Sequence, residues 1–419
     1  MRSKKCSLGF SVALAMFTVA SLAITPRTSA QAEKILYNFG SKSKDATVPS
    51  SPLTSDPDGN LYGTSVFGGP DNVGTVYELV KGGGGYKEKI LYRFSKVGGG
   101  GQSPFAGLIF DAAGNLYGTA TAGGTDNVGT VFELSPPTLP NTQWTETILH
   151  SFSNNFIDGQ TPQGLLIFDG SGNLYGVTAA GGSNAAGTAY ELSPAGGGAW
   201  TETILYTFST DTGSYPNGGM IFDASGNLYG VAAFGGSAFD GVVFELSPAG
   251  GGSWNYTVLH TFTNGTDGYL PEGELIFDSA GNLYGITANG NPTDNGTVFE
   301  LSLSSDGTWT EEILHNFESS TDGANPNGTL VFNSAGVLFG ETLGGGTGTC
   351  QETQTCGIVF ELRLADGVWH EKILHDFNKN GTDGFLPTSG VTLDSAGNLI
   401  GTTEYGGSFD EGTVFVIAH

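Results

Sequence analysis

The sequence predicts an all-β fold, and within that class a seven-bladed β-propeller with four antiparallel strands per blade. Three observations carry this. Glycine accounts for 69 of 419 residues in a chain that is still 38% hydrophobic, which means many tight turns and not disorder. No window repeats apolar residues at helical spacing, whereas short alternating or apolar runs between Gly, Asp and Asn are everywhere. One unit also recurs. The Gly of its GNLYG-like string falls at Gly59, Gly114, Gly172, Gly226, Gly281, Gly336 and Gly397, in steps of 54 to 61 residues, a period that in a β chain means a propeller or a solenoid.

Residues 1–32 read as a secretory signal peptide. Arg2, Lys4 and Lys5 precede an uncharged, mostly apolar run from Leu8 to Ile24, and Ala30-Gln31-Ala32 offers a small-residue cleavage site before Glu33. No later run reaches the ~20 apolar residues that span a bilayer, and no C-terminal anchor is visible. The leader holds four basic and no acidic residues. The remaining chain therefore has 11 Lys and Arg against 41 Asp and Glu, a net charge of −30. That excludes nucleic acid and anionic lipid as partners, because both need a basic surface. It suits an exported monomer that takes neutral ligands or cations. Cys350 and Cys356 are the cysteines left after cleavage, and in an exported chain the pair predicts a disulfide.

Residues 104–152 show one unit clearly. Pro104 opens it. GLIFD (107–111), NLYGTA (115–120), GTVFEL (129–134) and WTETILHSF (144–152) supply four strands. Roughly a dozen large apolar side chains at ~1.5–3 kcal/mol each do not outweigh the ~1 kcal/mol or more per residue lost on ordering. A blade must therefore stack on its neighbours. The ends decide between ring and row. The last repeat, 390–419, lacks a fourth strand. EKILYNF (33–39) has no blade of its own and nearly copies EKILHDF (371–377). The first strand should close the last blade and remove the open edges, giving a single ring over residues 33–419.

Between strands one and two most repeats carry Asp-x-x-Gly-Asn: Asp56, Asp111, Asp169, Asp223, Asp278 and Asp394, with Asn333 in the sixth. Asp opening a type I turn accepts backbone hydrogen bonds, and the Gly takes a left-handed conformation. A calcium loop needs further downstream ligands, and Leu-Tyr-Gly follows instead. The stretch is read as a turn.

GNLYGTATAGG (114–124) and GTVFELS (129–135), with counterparts in every unit, resemble the GloVer repeats of secreted bacterial proteins. The resemblance covers essentially the whole processed chain. It implies an exported bacterial repeat protein, often tethered, and brings no established activity.

Symmetry sorts the candidate residues, because a feature of every blade serves the blade. His150, His260, His315 and His375 share one repeat position with Tyr37, Tyr92 and Tyr206, which points to packed, hydrogen-bonded rings. Trp144, Trp200, Trp254, Trp309 and Trp369, with Tyr86, read as blade packing more than as sugar platforms. The repeated strand-four acids, such as Glu88, Glu146 and Glu202, read as a solvated outer strand. Crossover acids (Asp45, Asp158, Asp267, Asp322, Asp383) and loop acids (Asp71, Asp126, Asp240, Asp294, Asp410) should give one acidic face. That face is either a solvated rim or a surface for calcium or polyhydroxylated ligands. Repeat six breaks the pattern: the loop from Gly340 to Gly357 is six residues longer than its counterparts and holds CQETQTC. The candidate ligand-binding residues are accordingly Asp322, Glu341, Glu352, Asp383, Glu404 and Asp410, near blades six and seven. The leading reading is an exported binding propeller for a glycan, a peptide or calcium, with no other cofactor. A carbohydrate hydrolase or lyase would need Glu272, Glu274, Glu341 and Glu404 to converge at the tunnel mouth. A structural surface protein needs neither.

Overall fold

The computed structural model describes residues 33–42, 44–290, 293–318, 321–350 and 356–419. The proposed leader, 1–32, lies outside these. Seven small antiparallel sheets are arranged radially, each with four strands counted from axis to rim. In blade one the innermost strand is Ala46–Pro49 continued by Thr54–Ser55. Leu61–Gly68, Thr75–Gly82 and Gly85–Arg93 follow outward. Blade seven has Gly384–Pro387 with Thr392–Leu393 innermost, then Leu399–Gly406 and Thr413–Ile417. Its outer strand is Glu33–Asn38, which pairs Glu33 with Ile417 and Asn38 with Thr413. The ring closes as the chain ends predict. Among the described residues no helix is long and apolar enough to cross a membrane.

The core lies between blades, as stacking demands. Leu53, Tyr77 and Leu79 of blade one pack with Ile400 and Val414 of blade seven. Tyr117 and Val131 of blade two pack with Leu174, Tyr190 and Leu192 of blade three. The tryptophans join these clusters from the rim, Trp200 in the last of them and Trp309 in the next but one. The repeated turn is saturated by its own chain. Asp56 Oδ1 accepts from the N–H groups of Asp58 and Asn60, and Oδ2 from Asn60 Nδ2 and Tyr62 Oη. Burial alone would push this carboxyl up, but the Asn60 and Tyr62 bonds hold it below its usual value. No acceptor is left for a metal.

Blade six keeps this turn with Asn333 in place of the aspartate, its Oδ1 accepting from the Ala335 and Val337 N–H groups, and has Phe339 where blades one to five have tyrosine. His419 lies edge-on to Phe339, centroids 4.7 Å apart, and its Nε2 is 2.8 Å from Glu361 Oε2. An imidazole from the chain terminus thus takes the place of the tyrosine hydroxyl that meets the strand-three Glu elsewhere, as Tyr62 meets Glu78. The loop insert of blade six is closed by a Cys350–Cys356 disulfide. Both half-cystines are buried, against a core that includes Phe377 and Phe385.

The chain turns toward the axis through one repeated device. The residue before each inner-strand proline has φ between 53° and 59°: Val48, Ser103, Thr161, Tyr215, Leu270, Asn325 and Leu386. Left-handed backbone is unfavourable for such side chains. Here each N–H donates to a carbonyl of the preceding blade, as Thr161 does to Val128 and Leu386 to Cys356. At the axis the inner strands meet backbone to backbone. A methyl on Gly218 would overlap the Gly273 carbonyl, and one on Gly273 would overlap that of Gly328.

Candidate functional site

Two regions of the ring gather polar side chains in arrangements that packing alone does not require. One is on the axis. The residue after each inner-strand proline sits at the same place in every blade, yet the seven are all but unrelated: Ser50, Phe105, Gln163, Asn217, Glu272, Asn327 and Thr388. All seven line a cavity of about 230 Å³, together with Glu274 and Ser389. Phe105 and Tyr215 also line it, and both are substantially exposed. Gln163 Nε2 donates to Tyr215 Oη at 3.2 Å, and Asn327 Nδ2 to Glu272 Oε2 at 3.0 Å. Ser50 is buried with its Oγ unpartnered among the described residues, as is Asn217 Oδ1.

Of four acids outside the repeat pattern, two line this cavity and two bond to residues at or beside its wall. Glu272 and Glu274 line it directly. Glu341 accepts from the Gly390 N–H at 2.6 Å, and Thr388 Oγ1 donates to Glu404 Oε1 at 3.4 Å. Burial pushes all four carboxyls up, Glu274 to about 7 and Glu341 to about 8. Near neutral pH Glu274 and Glu341 therefore hold a proton for much of the time and can donate as well as accept.

The other region is the set of seams between blades. In all seven, a His or Tyr of the outer strand lies edge-on to a fully buried Phe two residues on, with centroids 4.6 to 5.2 Å apart. This is the packed role expected of the ring. Its polar tip, however, meets acids from two directions. At the seam of blades two and three, His150 Nε2 is 3.3 Å from Asp158 in the crossover and 3.6 Å from Glu202 of the next outer strand. His260 stands 3.7 Å from Asp267 and 3.5 Å from Glu311. His375 stands 3.3 Å from Asp383 and 3.7 Å from Glu33. These three groups are positioned to chelate a metal ion. Burial drives Glu33 and Glu311 up to about 8 and Glu202 to about 7. Burial also opposes a charged imidazole. Asp158 and Asp383 overcome it for His150 and His375, whereas the more distant Asp267 does not for His260.

The sequence-derived residues thus fall in several places. Asp383 and Asp322 belong to seams, Asp322 4.0 Å from His315. Glu341 and Glu404 flank the axial cavity. Asp410 is exposed on a loop, 3.2 Å from Lys379 Nζ. Glu352 lies outside the described residues. The crossover acids differ from the expected rim: Asp45, Asp158 and Asp383 are 5 to 7% exposed, held inward by the seam. The strand-four acids differ likewise. Glu146 alternates with exposed Thr145 and Thr147 and accepts from Tyr92 Oη and the Gly101 N–H. Sequence reasoning missed Glu33 as a site residue. Its signal was the spacing Glu-x-x-x-His/Tyr; a bulge between the two turns them to opposite faces, so that Glu33 meets His375 of blade six and Tyr37 meets Glu88 of blade one.

A search of curated proteins finds no match. Among solved structures, a protein of unknown function from Dyadobacter fermentans is similar over 74% of this chain and 93% of its own, at 15% identity and a TM-score of 0.42. That similarity is too weak to carry an argument, and the propeller rests on the strand pairings above. The Gloeobacter/Verrucomicrobia repeat model matches residues 21–221 and 164–415, and the chain belongs to that family.

Proposed function

We propose that the protein is an exported binding propeller whose ligand is a neutral, polyhydroxylated molecule, a glycan, held at the axial cavity. The observation that carries this reading is the ring of seven residues of six different types at one symmetric position, Ser50 through Thr388, with only Asn217 and Asn327 alike. Blade packing would favour the same residue in each copy. A ligand without sevenfold symmetry requires different ones. The donors and acceptors suit hydroxyl groups, and exposed Phe105 and Tyr215 offer faces for a sugar ring. Burial pushes the Glu272 and Glu274 carboxyls up, which disfavours their charged forms in the cavity.

The test is thermal unfolding against a panel of oligosaccharides, followed by titration calorimetry on any that respond. A ligand of the native state raises the melting temperature by mass action. Gln163→Ala and Asn217→Ala should abolish the shift without lowering the starting value by more than a few degrees. A panel that moves nothing, or a shift that survives both substitutions, sinks the reading. A hydrolase or lyase is favoured only by Glu274, whose pKa of about 7 suits a general acid. Product analysis of the same incubations separates the two.

A further inference from the structure

We propose that the His–Asp–Glu groups between blades are binding sites for a first-row divalent cation of the zinc class, one of which clasps strand Glu33–Asn38 to the last two blades. The inference concerns the seams and does not depend on the axial cavity.

The distances are the first argument. A protonated imidazole bonded to a carboxylate brings nitrogen and oxygen to ~2.7–2.9 Å. The six separations above run from 3.3 to 3.7 Å. One Nε2–H also cannot serve two carboxylates well. Ligand bonds of ~2.0–2.1 Å to a tetrahedral ion, by contrast, place neighbouring donor atoms about 3.3 Å apart. The seams hold their donors near the edges of such a tetrahedron.

The contrast among seams is the second. Where tyrosine replaces histidine, both oxygens of the facing Glu are bonded: Glu88 accepts from Tyr37 Oη and the Ala46 N–H, and Glu146 from Tyr92 Oη and the Gly101 N–H. Where histidine is present, an oxygen of that Glu is buried without a partner among the described residues: Glu33 Oε1, Glu202 Oε1, Glu311 Oε1 and, in the His315 seam, Glu371 Oε1. The Glu33 side chain is only 10% exposed. Such orphaned oxygens are costly. They occur only in seams that also present an imidazole, among those with both oxygens described.

The donor set selects the ion. One imidazole and two carboxylates give three protein ligands and a charge that a divalent cation neutralises; each is a ligand type that zinc takes, with one tetrahedral position left open. Calcium takes six to eight oxygens and finds too few here, so the calcium expected from composition is replaced by a smaller, nitrogen-tolerant ion. At the seam of blades six and seven the ligands are His375, Asp383 and Glu33, the last on the strand that zips the ring shut. An ion there joins the first strand to the last two blades.

The experiment uses the untagged full chain, stripped with chelator, loaded with zinc chloride, gel-filtered and assayed for metal. We expect zinc to be retained and to raise the melting temperature by several degrees, with equal calcium chloride having no such effect. His150→Tyr, His260→Tyr and His375→Tyr should each lose one equivalent. Tyrosine already fills this position at Tyr37, Tyr92 and Tyr206, so these variants should stay folded. Tyr37→His, placed beside Asp45 and Glu88, should gain one equivalent, a result that damage to the fold cannot mimic. A stripped chain that retains no zinc, or a triple His→Tyr chain that retains as much as the parent, overturns the proposal.

Discussion

The seam between blades three and four and the seam between blades six and seven occupy equivalent places and share one element. Tyr206 rests edge-on against Phe208, and His375 rests edge-on against Phe377. Beyond that ring they diverge. Tyr206 stacks face to face with Tyr256, 3.9 Å apart and within 4° of parallel, and both hydroxyls donate to Thr212. Among the described residues neither hydroxyl of that seam meets a carboxylate. In the other, Asp383 replaces Thr212 and Glu33 replaces Tyr256. The fold thus requires an aromatic ring on the phenylalanine and leaves the chemistry at its tip free to vary. Repetition in the sequence marks the first requirement and conceals the second.

We predict four outcomes that would break or sharpen this comparison. Removing the shared element should cost most: Phe208→Ala and Phe377→Ala should each destabilise by ~3–5 kcal/mol in urea unfolding. A loss under ~1 kcal/mol at either site would mean that the two seams are not held alike. Next, His375→Ala should cost ~1–3 kcal/mol, because Asp383 and Glu33 are left facing each other in a buried site. His375→Tyr should cost less than half of that. Equal losses would put the whole effect in the charges and none in the ring.

The third outcome concerns pH, and the tyrosine seam of blades seven and one supplies the cleanest group. Burial beside Asp45 pushes Glu88 from 4.5 up to about 8. The folded chain then keeps this proton where the unfolded chain has already lost it. Its contribution to stability is full below about pH 4.5 and is lost as pH rises through about 8. Glu88→Gln should therefore flatten the fall in melting temperature across that window. An unchanged slope would show that the carboxyl titrates normally. The seam of blades three and four, whose two hydroxyls meet Thr212 and not a carboxylate, contributes nothing there. Smallest of all, Lys379→Ala should cost less than ~1 kcal/mol, since the Lys379–Asp410 pair is solvent-exposed on both sides. A larger loss would mean that loop charges matter as much as seam charges.

The ring itself was legible, because its determinants are local and repeated. EKILYNF and EKILHDF declare themselves the same strand, and Asp-x-x-Gly-Asn declares a turn. The equivalence of His and Tyr was legible too, as position. What that ring meets was not. Asp158 follows His150 by eight residues, but Glu202 lies in the next blade, and only the stacking of blades brings it across. Crossover acids look like a rim until the crossover is seen to fold under the preceding blade. The axial ring was hidden for the opposite reason. Its residues are of six types over seven blades, and only the preceding proline marks them as one position. Phe339 in place of the repeated tyrosine was hidden too, since the His419 ring it meets lies eighty residues away.

Because strand Glu33–Asn38 runs beside Thr413–Ile417, residues 33 and 417 are neighbours, and a short linker could join them. The turn at Gly196 to Gly198 is open, with space around each α-carbon. A circularly permuted chain opened there would start with the outer strand Ala199–Thr207 and fasten at blade three instead of blade seven. Where this wheel is latched would then be an accident of where translation starts, and any rim position with a tolerant turn could serve as the latch.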